Sequence, residues 1–323
     1  MVKIINKICI AGDSHTWGQG AADRVFQDFE IPVVAGEKRL LPFCVPSFPT
    51  LLRKYINEKS GSEAMEFSGK DISERFDCEY KMECARVRGE LCINKEFDFA
   101  RIELKRGSSD TDFICDGMPV QSFKAYEIDD EYIVKNITPD SRADKLIIKS
   151  DDAFLYRIEL YKGKYAVVNC GIGSCSSFKY TKDYLDKYVL SINPTIVIAE
   201  IFTVNDWLSA KAPEECEKSL VKFGKRIIER RAKLVFSSVI PILGRQKNGL
   251  KADYLEYVQA GERAARTLRI PYADTYAAFS KEYTDSPQPT HYGDEWHPGV
   301  RGHEIYFEEL KKSDTICELC REM

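Results

Sequence analysis

The sequence predicts an α/β protein in which a parallel sheet is covered by helices on both faces and is interrupted by an inserted all-β domain. Residues 1–59 and 165–323 alternate apolar, β-branched runs of strand length, for example PTIVIAEIFTV, with amphipathic helical segments, as is typical of parallel sheets. Residues 60–164 show short period-two runs, for example FLYRIELYKG, separated by frequent turns, as in a β-sandwich. We therefore expect a discontinuous α/β domain around a β-sandwich insert.

The helical segments carry end signals as well as periodicity. SFPTLLRKYINEK begins with Ser47 as a candidate N-cap and has an early proline, while PEECEKSLVKFGKRIIERR has acidic residues early and basic residues late. Such residues satisfy the free amides of a helix start or complement the helix dipole. Together with TKDYLDKYVLS, these segments are predicted to form the helical layers.

Charge and composition argue against several classes of partner. The 47 basic and 51 acidic residues give a formal net charge of −4 without a basic block, so no nucleic-acid partner is expected. The apolar N-terminal stretch is too short to span a bilayer and leads directly into the first predicted strand, so we expect a cytoplasmic protein without a membrane partner. The eleven cysteines are expected to be reduced, and the CELC pair, Cys317 and Cys320, lacks the second pair of a metal site.

A candidate nucleophile stands at the end of the first predicted strand. The stretch ICIAGDSHTWG stops an apolar run at Gly12 and delivers Ser14 to the carboxyl end of the sheet, where open α/β folds bind their ligands. Gly-Asp-Ser is also ordinary turn chemistry. Ser14 is therefore a nucleophile only if the chain also supplies a base.

The four histidines make the search for that base short. His297 lies three residues after Asp294 in GDEWHPG, where a turn can bring the carboxylate to the imidazole nitrogen that does not face the serine. His291 is the alternative base. His15 is adjacent to Ser14 and is expected to point elsewhere.

Two further segments offer donors for a developing negative charge. Asn205 follows the third predicted strand, and the loop VVNCGIGSCSS after the second contains Gly171 and Gly173, which allow close backbone approach. A helix cap or turn at the asparagine, and a flexible turn at the glycines, are the simpler interpretations.

In this order, the segments resemble the conserved blocks of the SGNH, or GDSL, hydrolase family, most closely in AGDSHTWG and DEWHPGVRGH. The resemblance covers about residues 1–58 and 165–312. It implies a three-layer α/β/α, flavodoxin-like fold and an ester hydrolase that needs no metal or other cofactor.

The resemblance also assigns roles. Ser14 is the nucleophile and, through its backbone N–H, an oxyanion donor; Asp294 and His297 complete the catalytic triad, and Asn205 donates its side-chain amide. From the second conserved block, the loop after the second predicted strand, we assign the backbone N–H of Gly173 as a further oxyanion donor.

Two positions depart from the family pattern. In the third block, which contains Asn205, the family usually has a glycine two residues before the asparagine, and this chain has Thr203 there. In the second block, the loop VVNCGIGSCSS, the position of the family's glycine counted from Asn169 is occupied by Ser174. Because that donor is a backbone N–H, Ser174 remains the alternative to Gly173.

The three tryptophans, Trp17, Trp207 and Trp296, each lie beside one of these motifs. Exposed indoles would form the flat walls that a sugar ring requires, whereas buried indoles that brace loops are an equally good explanation. The β insert resembles the jelly-roll domains that accompany SGNH carbohydrate esterases. The resemblance therefore favours a short-chain, O-acetyl ester of a small molecule or oligosaccharide as substrate. The alternatives are an acyltransferase, a lipase or thioesterase of the same fold, and an inactive glycan-binding protein.

Overall fold

The structure is a computed structural model that describes residues 5–18, 28–33, 37–42, 47–76, 78–81, 83–125, 132–243 and 253–323. The chain divides into two compact units. The β-rich unit comprises Met1–Asn6 and Asn57–Ala166, and the α/β unit comprises Lys7–Ile56 and Val167–Met323.

Fifteen strands lie in the described residues. They are β1 Asn6–Gly12, β2 Asp28–Val33, β3 Glu37–Pro42, β4 Glu63–Ser68, β5 Glu79–Lys81, β6 Cys84–Ile93, β7 Phe99–Lys105, β8 Thr111–Cys115, β9 Met118–Phe123, β10 Tyr132–Ile137, β11 Leu146–Lys162, β12 Tyr165–Gly171, β13 Ile196–Glu200, β14 Lys233–Ser237 and β15 Tyr272–Ala273.

Ten α-helices lie in the same described ranges. They are α1 Ser14–Trp17, α2 Phe48–Ser60, α3 Gly69–Phe76, α4 Ser177–Lys179, α5 Thr203–Leu208, α6 Pro213–Glu229, α7 Tyr254–Leu268, α8 Thr275–Asp285, α9 Val300–Lys312 and α10 Asp314–Arg321. A π-helix covers Tyr180–Val189, and two 3-10 helices cover Leu190–Ile192 and Pro289–His291.

The α/β unit contains a five-stranded sheet in the order β12-β1-β13-β14-β15. The pairs β1–β13, β13–β14 and β14–β15 are parallel, which confirms the predicted parallel sheet. Every residue of β13 is buried, and all but the last, Glu200, are apolar, as is typical of a strand covered on both faces. The carboxyl ends of these strands therefore meet along one edge.

The predicted third strand is shorter than its apolar sequence suggests. PTIVIAEIFTV was expected to continue to Asn205, but β13 ends at Glu200 and α5 begins at Thr203. Phe202 between them adopts a left-handed backbone with φ of 55°, which an extended strand does not accommodate. Asn205 is consequently helical.

The β-rich unit is built around the 17-residue strand β11. Its first residues pair with β6 and β8, and its last residues pair with β7 and β4, all antiparallel. Register shifts near Ser150 and Leu155 let one strand serve both sets of partners. The buried core includes Ile102, Ile148 and Ile158.

The expectation that this segment is all-β misses helix α3. The amide of Asp71 donates to Ser68 Oγ at 3.1 Å, while that hydroxyl and the Ser68 amide donate to the Asp71 carboxylate at 2.6 Å and 3.0 Å. This reciprocal cap nucleates a helix start. The spacing Ser-x-x-Asp in the sequence was the available signal.

Two further observations concern cysteines and membranes. All ten cysteines in the described residues are free thiols. Within the described ranges, none of the helices combines the length and the apolar character needed to cross a bilayer.

Gly171→Ala tests the packing between β12 and α1. A Cβ at Gly171 would lie 2.4 Å from the backbone nitrogen of Trp17 and 2.7 Å from the carbonyl carbon of Thr16, and neither atom belongs to a flexible side chain. We expect overpacking to cost about 1–3 kcal/mol and to lower the midpoint of thermal unfolding measured by circular dichroism.

Gly61→Ala shows the cost of backbone strain without a clash, because a Cβ there meets no atom within 4 Å and only the left-handed φ of 66° adds strain. An unfolding midpoint of Gly171→Ala equal to that of wild type would contradict the close contact at Gly171.

Candidate active site

The turn after β1 places Ser14 at the carboxyl edge of the parallel sheet. β1 ends at Gly12, and the Asp13 side chain accepts a hydrogen bond from the amide of His15 at 3.0 Å. This bond caps α1, whose first residue is Ser14. The amide of Trp17 donates to the Asp13 carbonyl at 2.9 Å. Ser14 therefore has a fixed backbone.

The structure brings Ser14, His297 and Asp294 together. Ser14 Oγ lies 2.9 Å from His297 Nε2, and His297 Nδ1 lies 2.9 Å from each carboxylate oxygen of Asp294. Because the carboxylate accepts, Nδ1 carries the proton and Nε2 can accept from the serine hydroxyl. This geometry is the one that general-base activation of a serine requires.

The charge of Asp294 is held by its own loop. The amides of Trp296 and His297 donate to Asp294 Oδ1 at 2.7 Å and 2.8 Å. Burial alone would raise the pKa of Asp294, but the hydrogen bonds from the His297 ring and from these amides outweigh it and lower that pKa. Asp294 is therefore ionised at neutral pH and keeps His297 in the required tautomer.

His291, the alternative base, lies in a different environment. Its ring is fully buried, with Nδ1 3.1 Å from the Gln288 carbonyl and Nε2 3.2 Å from Glu282 Oε1. The amide of Gly299 donates to the His291 carbonyl at 2.8 Å. His291 thus braces the loop before α9, and within the described chain its ring does not hydrogen bond to Ser14.

Asn205 reaches the same turn from α5. Its Nδ2 donates to Asp13 Oδ2 at 2.7 Å, which leaves the second Nδ2 hydrogen for another acceptor. Asn205 is half-buried. The side-chain amide of Asn205 therefore lies beside the turn that contains Ser14, although Asn205 lies in a helix and not at the end of a strand.

The turn after β12 contains Gly173 and Ser174, and Ser174 has a left-handed φ of 54°. Among the described residues, neither amide donates a hydrogen bond to another residue. The Asp206 carboxylate accepts from the amide of Ser177 at 2.8 Å and so ties this turn to α5. Burial raises the pKa of Asp206 to about 7.

The carboxyl group of Glu200 lies beneath the turn that contains Asp13 and Ser14. The amide of Asp13 donates to Glu200 Oε2 at 3.1 Å, while Oε1 is buried without a hydrogen-bond partner in the described residues. Burial and then the nearby Asp13 carboxylate raise the pKa of Glu200 well above its ordinary value. Glu200 was not predicted as a site residue, although an acidic residue at the end of the apolar run PTIVIAE was a usable signal.

Asp13, His15 and Glu200 have the composition of a metal site, and one atom from each lies within 4.8 Å of the others. The His15 nitrogens and the Asp13 oxygens already have protein partners. His15 Nε2 lies 2.7 Å from the Trp296 carbonyl and Nδ1 3.2 Å from the Tyr306 hydroxyl, while the Asp13 oxygens accept from His15 and Asn205. The group is therefore better described as a hydrogen-bond network than as a cation site.

The tryptophans differ in exposure. Trp207 is 2% exposed and packs against Trp296, with ring centroids 6.2 Å apart, so it supports the loop and does not form an exposed wall. Trp17 and Trp296 are partly exposed. A Cβ at Gly173 would lie 2.8 Å from the Trp17 ring, which shows how closely that indole covers the block-two turn.

Comparisons with known proteins bear on the fold. No protein-family model matches the sequence, and no curated protein sequence matches it significantly. A peptidoglycan O-acetylesterase structure matches with a TM-score of 0.54 and 13% identity, covering 99% of this chain and 93% of that one. A catalytic mutant of an acetylxylan esterase from Geobacillus stearothermophilus matches with a TM-score of 0.40 and 19% identity, covering 46% and 71%.

The first of these similarities establishes the architecture. The chain is an α/β protein that shares its fold with a peptidoglycan O-acetylesterase. At one edge of its sheet, a serine, a histidine and an aspartate are linked in that order by hydrogen bonds.

Glu200→Gln tests whether the buried carboxyl is neutral. A raised folded-state pKa stabilises the protein below the unfolded pKa, and this stability is lost as pH rises toward the folded pKa. Glutamine is neutral throughout. Relative to wild type, the variant should therefore gain up to about 1.4 kcal/mol per pH unit above about pH 4.5, measured by thermal unfolding at pH 5 and pH 7.

The exposed Glu229 supplies the control, since Glu229→Gln makes the same replacement of a carboxyl by an amide outside the buried site. A Glu200→Gln profile parallel to that of wild type would show that Glu200 ionises normally in the folded protein.

Proposed function

We propose that this chain is an SGNH-type serine esterase that hydrolyses a short-chain acyl ester, in particular an O-acetyl ester of a carbohydrate. The observation that carries the proposal is the alignment of Ser14 Oγ, both His297 ring nitrogens and the Asp294 carboxylate at 2.9 Å each. A binding protein has no need of a base oriented in this way.

In the first half-reaction, His297 Nε2 accepts the Ser14 proton as Oγ attacks the ester carbonyl carbon. Asp294 stabilises the imidazolium that results. The tetrahedral intermediate then expels the alcohol, which receives the proton from His297, and leaves an acyl group on Ser14. In the second half-reaction, water gives a proton to His297 and attacks the acyl carbon. The second tetrahedral intermediate then expels Ser14 Oγ, which takes the proton back from His297 Nε2, and the acid is released.

Three donors are proposed for the oxyanion of each tetrahedral intermediate. They are the backbone amides of Ser14 and Gly173, with Ser174 as the alternative, and Nδ2 of Asn205. The amides of Ser14 and Gly173 have no hydrogen-bond acceptor among the described residues. The Asp13 bond fixes the direction of the Asn205 amide, so the donor requires little reorganisation during the reaction.

A carbohydrate substrate is supported by two features. Trp17 and Trp296 are partly exposed indoles near Ser14 and His297 in sequence, and indoles stack well on sugar rings. One protein that shares the fold over nearly the whole chain is a peptidoglycan O-acetylesterase. Residues 60–164 are proposed as the inserted β-sandwich domain of this enzyme, and a cytoplasmic location stays a prediction.

The choice of base can be tested with two histidine variants. We expect His297→Gln to lower kcat for a short-chain aryl acetate by at least about 10³-fold, because it removes the proton acceptor. His291→Gln should retain most of the activity, because its ring contacts Gln288 and Glu282. Loss of activity in His291→Gln alone, with unfolding midpoints unchanged, would reassign the base.

Acyl specificity can be tested by acetate release from acetylated sugars beside the hydrolysis of aryl acetate and aryl octanoate. We expect kcat/KM for acetate to exceed that for octanoate by about 100-fold or more, and acetylated xylose, glucose or peptidoglycan fragments to be hydrolysed. Ser14→Ala, the background control, should abolish all of these activities.

A preference for octanoate would indicate a lipase or thioesterase. Acyl transfer to an added sugar without release of acid would indicate an acyltransferase. Saturable sugar binding without turnover would indicate a glycan-binding protein. Each of these results would replace the proposed function.

A further inference from the structure

His15 is a buried titratable residue that the proposed reaction does not use. It follows Ser14 in the chain and is 0% exposed. Both ring nitrogens have partners: Nε2 lies 2.7 Å from the carbonyl oxygen of Trp296, and Nδ1 lies 3.2 Å from the hydroxyl of Tyr306. A nonpolar residue would leave both of these partners without a hydrogen bond to position 15.

The partners fix where the His15 proton lies. The Trp296 carbonyl can only accept, so Nε2 carries the hydrogen. The Tyr306 hydroxyl accepts from the amide of Ile240 at 3.2 Å and directs its own hydrogen to Nδ1. Tyr306 is itself held by its stack on Phe48, at 4.8 Å between ring centroids. His15 is thus a neutral Nε2–H tautomer.

We propose that His15 is a positioning residue that fixes the loop of the catalytic base to the turn of the nucleophile. The proposal rests on the function proposed above. Its acceptor, the Trp296 carbonyl, immediately precedes His297, and His15 itself immediately follows Ser14. The His15–Trp296 bond therefore lies one residue from each end of the Ser14–His297 bond and constrains the same distance.

The reason for such a constraint is geometric. Ser14 and His297 are 283 residues apart in the chain, so no local segment sets their separation. A displacement of about 1 Å at a reacting pair can cost about 100-fold in rate. The His15 ring also packs edge-to-face against His297, with centroids 5.5 Å apart and an interplanar angle of 81°, which limits rotation of the base.

The charge state of His15 is consistent with this role. The titratable groups that surround it are Asp13, Glu200, Asp294, His297 and Tyr306. Burial lowers the pKa of His15, against the opposing effect of Asp13. The neutral ring adds no positive charge beside His297 when that ring becomes an imidazolium.

The test compares His15→Leu with His15→Gln in the full chain. Leucine removes the donor, whereas the glutamine amide can replace Nε2–H. We expect His15→Leu to lower kcat by about 10–100-fold with KM changed less than about threefold, and His15→Gln to recover most of the loss. Wild-type kcat in His15→Leu, or equal impairment in His15→Gln, overturns the proposal.

His303→Leu controls for the loss of a buried imidazole. His303 is also 0% exposed, and its Nδ1 accepts from the amide of Phe48 at 3.4 Å. We expect this variant to lower the unfolding midpoint while leaving kcat of the folded protein unchanged. A kcat loss equal to that of His15→Leu would show that any buried histidine matters and would overturn the specific role of His15.

A spectroscopic measurement separates this proposal from the esterase assignment. Four histidines make imidazole ¹⁵N NMR spectra assignable with the variants. We expect wild-type His15 to show the Nε2–H tautomer, and His15→Leu, but not His303→Leu, to shift the His297 signals. If no ester is hydrolysed, the proposed function fails while this result still stands. An Nδ1–H tautomer or unshifted His297 signals overturn the positioning role.

Discussion

The arrangement of the candidate site depends on the hydrogen bonds of Asp13. One oxygen caps α1 through the amide of His15, and the other accepts from Asn205. Its backbone amide is held by Glu200. Three separate stretches of chain therefore converge on one buried residue beside Ser14. Because its hydrogen-bonding groups are directed to different elements, a shift in any of them would be transmitted to the nucleophile.

The carboxyl groups around Asp13 differ in the direction of their pKa shifts. Two buried carboxyl groups in contact cannot both remain charged at low cost. Burial and then the nearby Asp13 raise the pKa of Glu200 well above its ordinary value, whereas hydrogen bonds from the His297 ring and from backbone amides outweigh burial at Asp294 and lower the pKa of that carboxyl. The number of hydrogen-bond donors around each carboxyl group, and not the type of residue, therefore decides which group near Ser14 carries a charge.

Much of the site could be predicted because its chemistry is local in sequence. Asp294 and His297 lie in one turn, and an apolar strand leads directly to Ser14, so spacing alone predicts their roles. Asn205 was expected at the end of a strand but lies in a helix, because the left-handed Phe202 that follows β13 has no sequence signal. Its role as an oxyanion donor stays a prediction. His15 and Glu200 were missed since their partners, Tyr306 and Asp13, lie far away in sequence.

The separation of 283 residues between Ser14 and His297 has a consequence for biosynthesis. A growing polypeptide folds from its N-terminal side during translation, and Ser14 leaves the ribosome long before its base has been made. The β-rich unit, most of which is the continuous stretch Asn57–Ala166, can complete its hydrogen bonding in that interval. The nascent chain therefore carries Ser14 without His297 until translation has passed residue 297, and the hydrogen bond between the two can form only after that point.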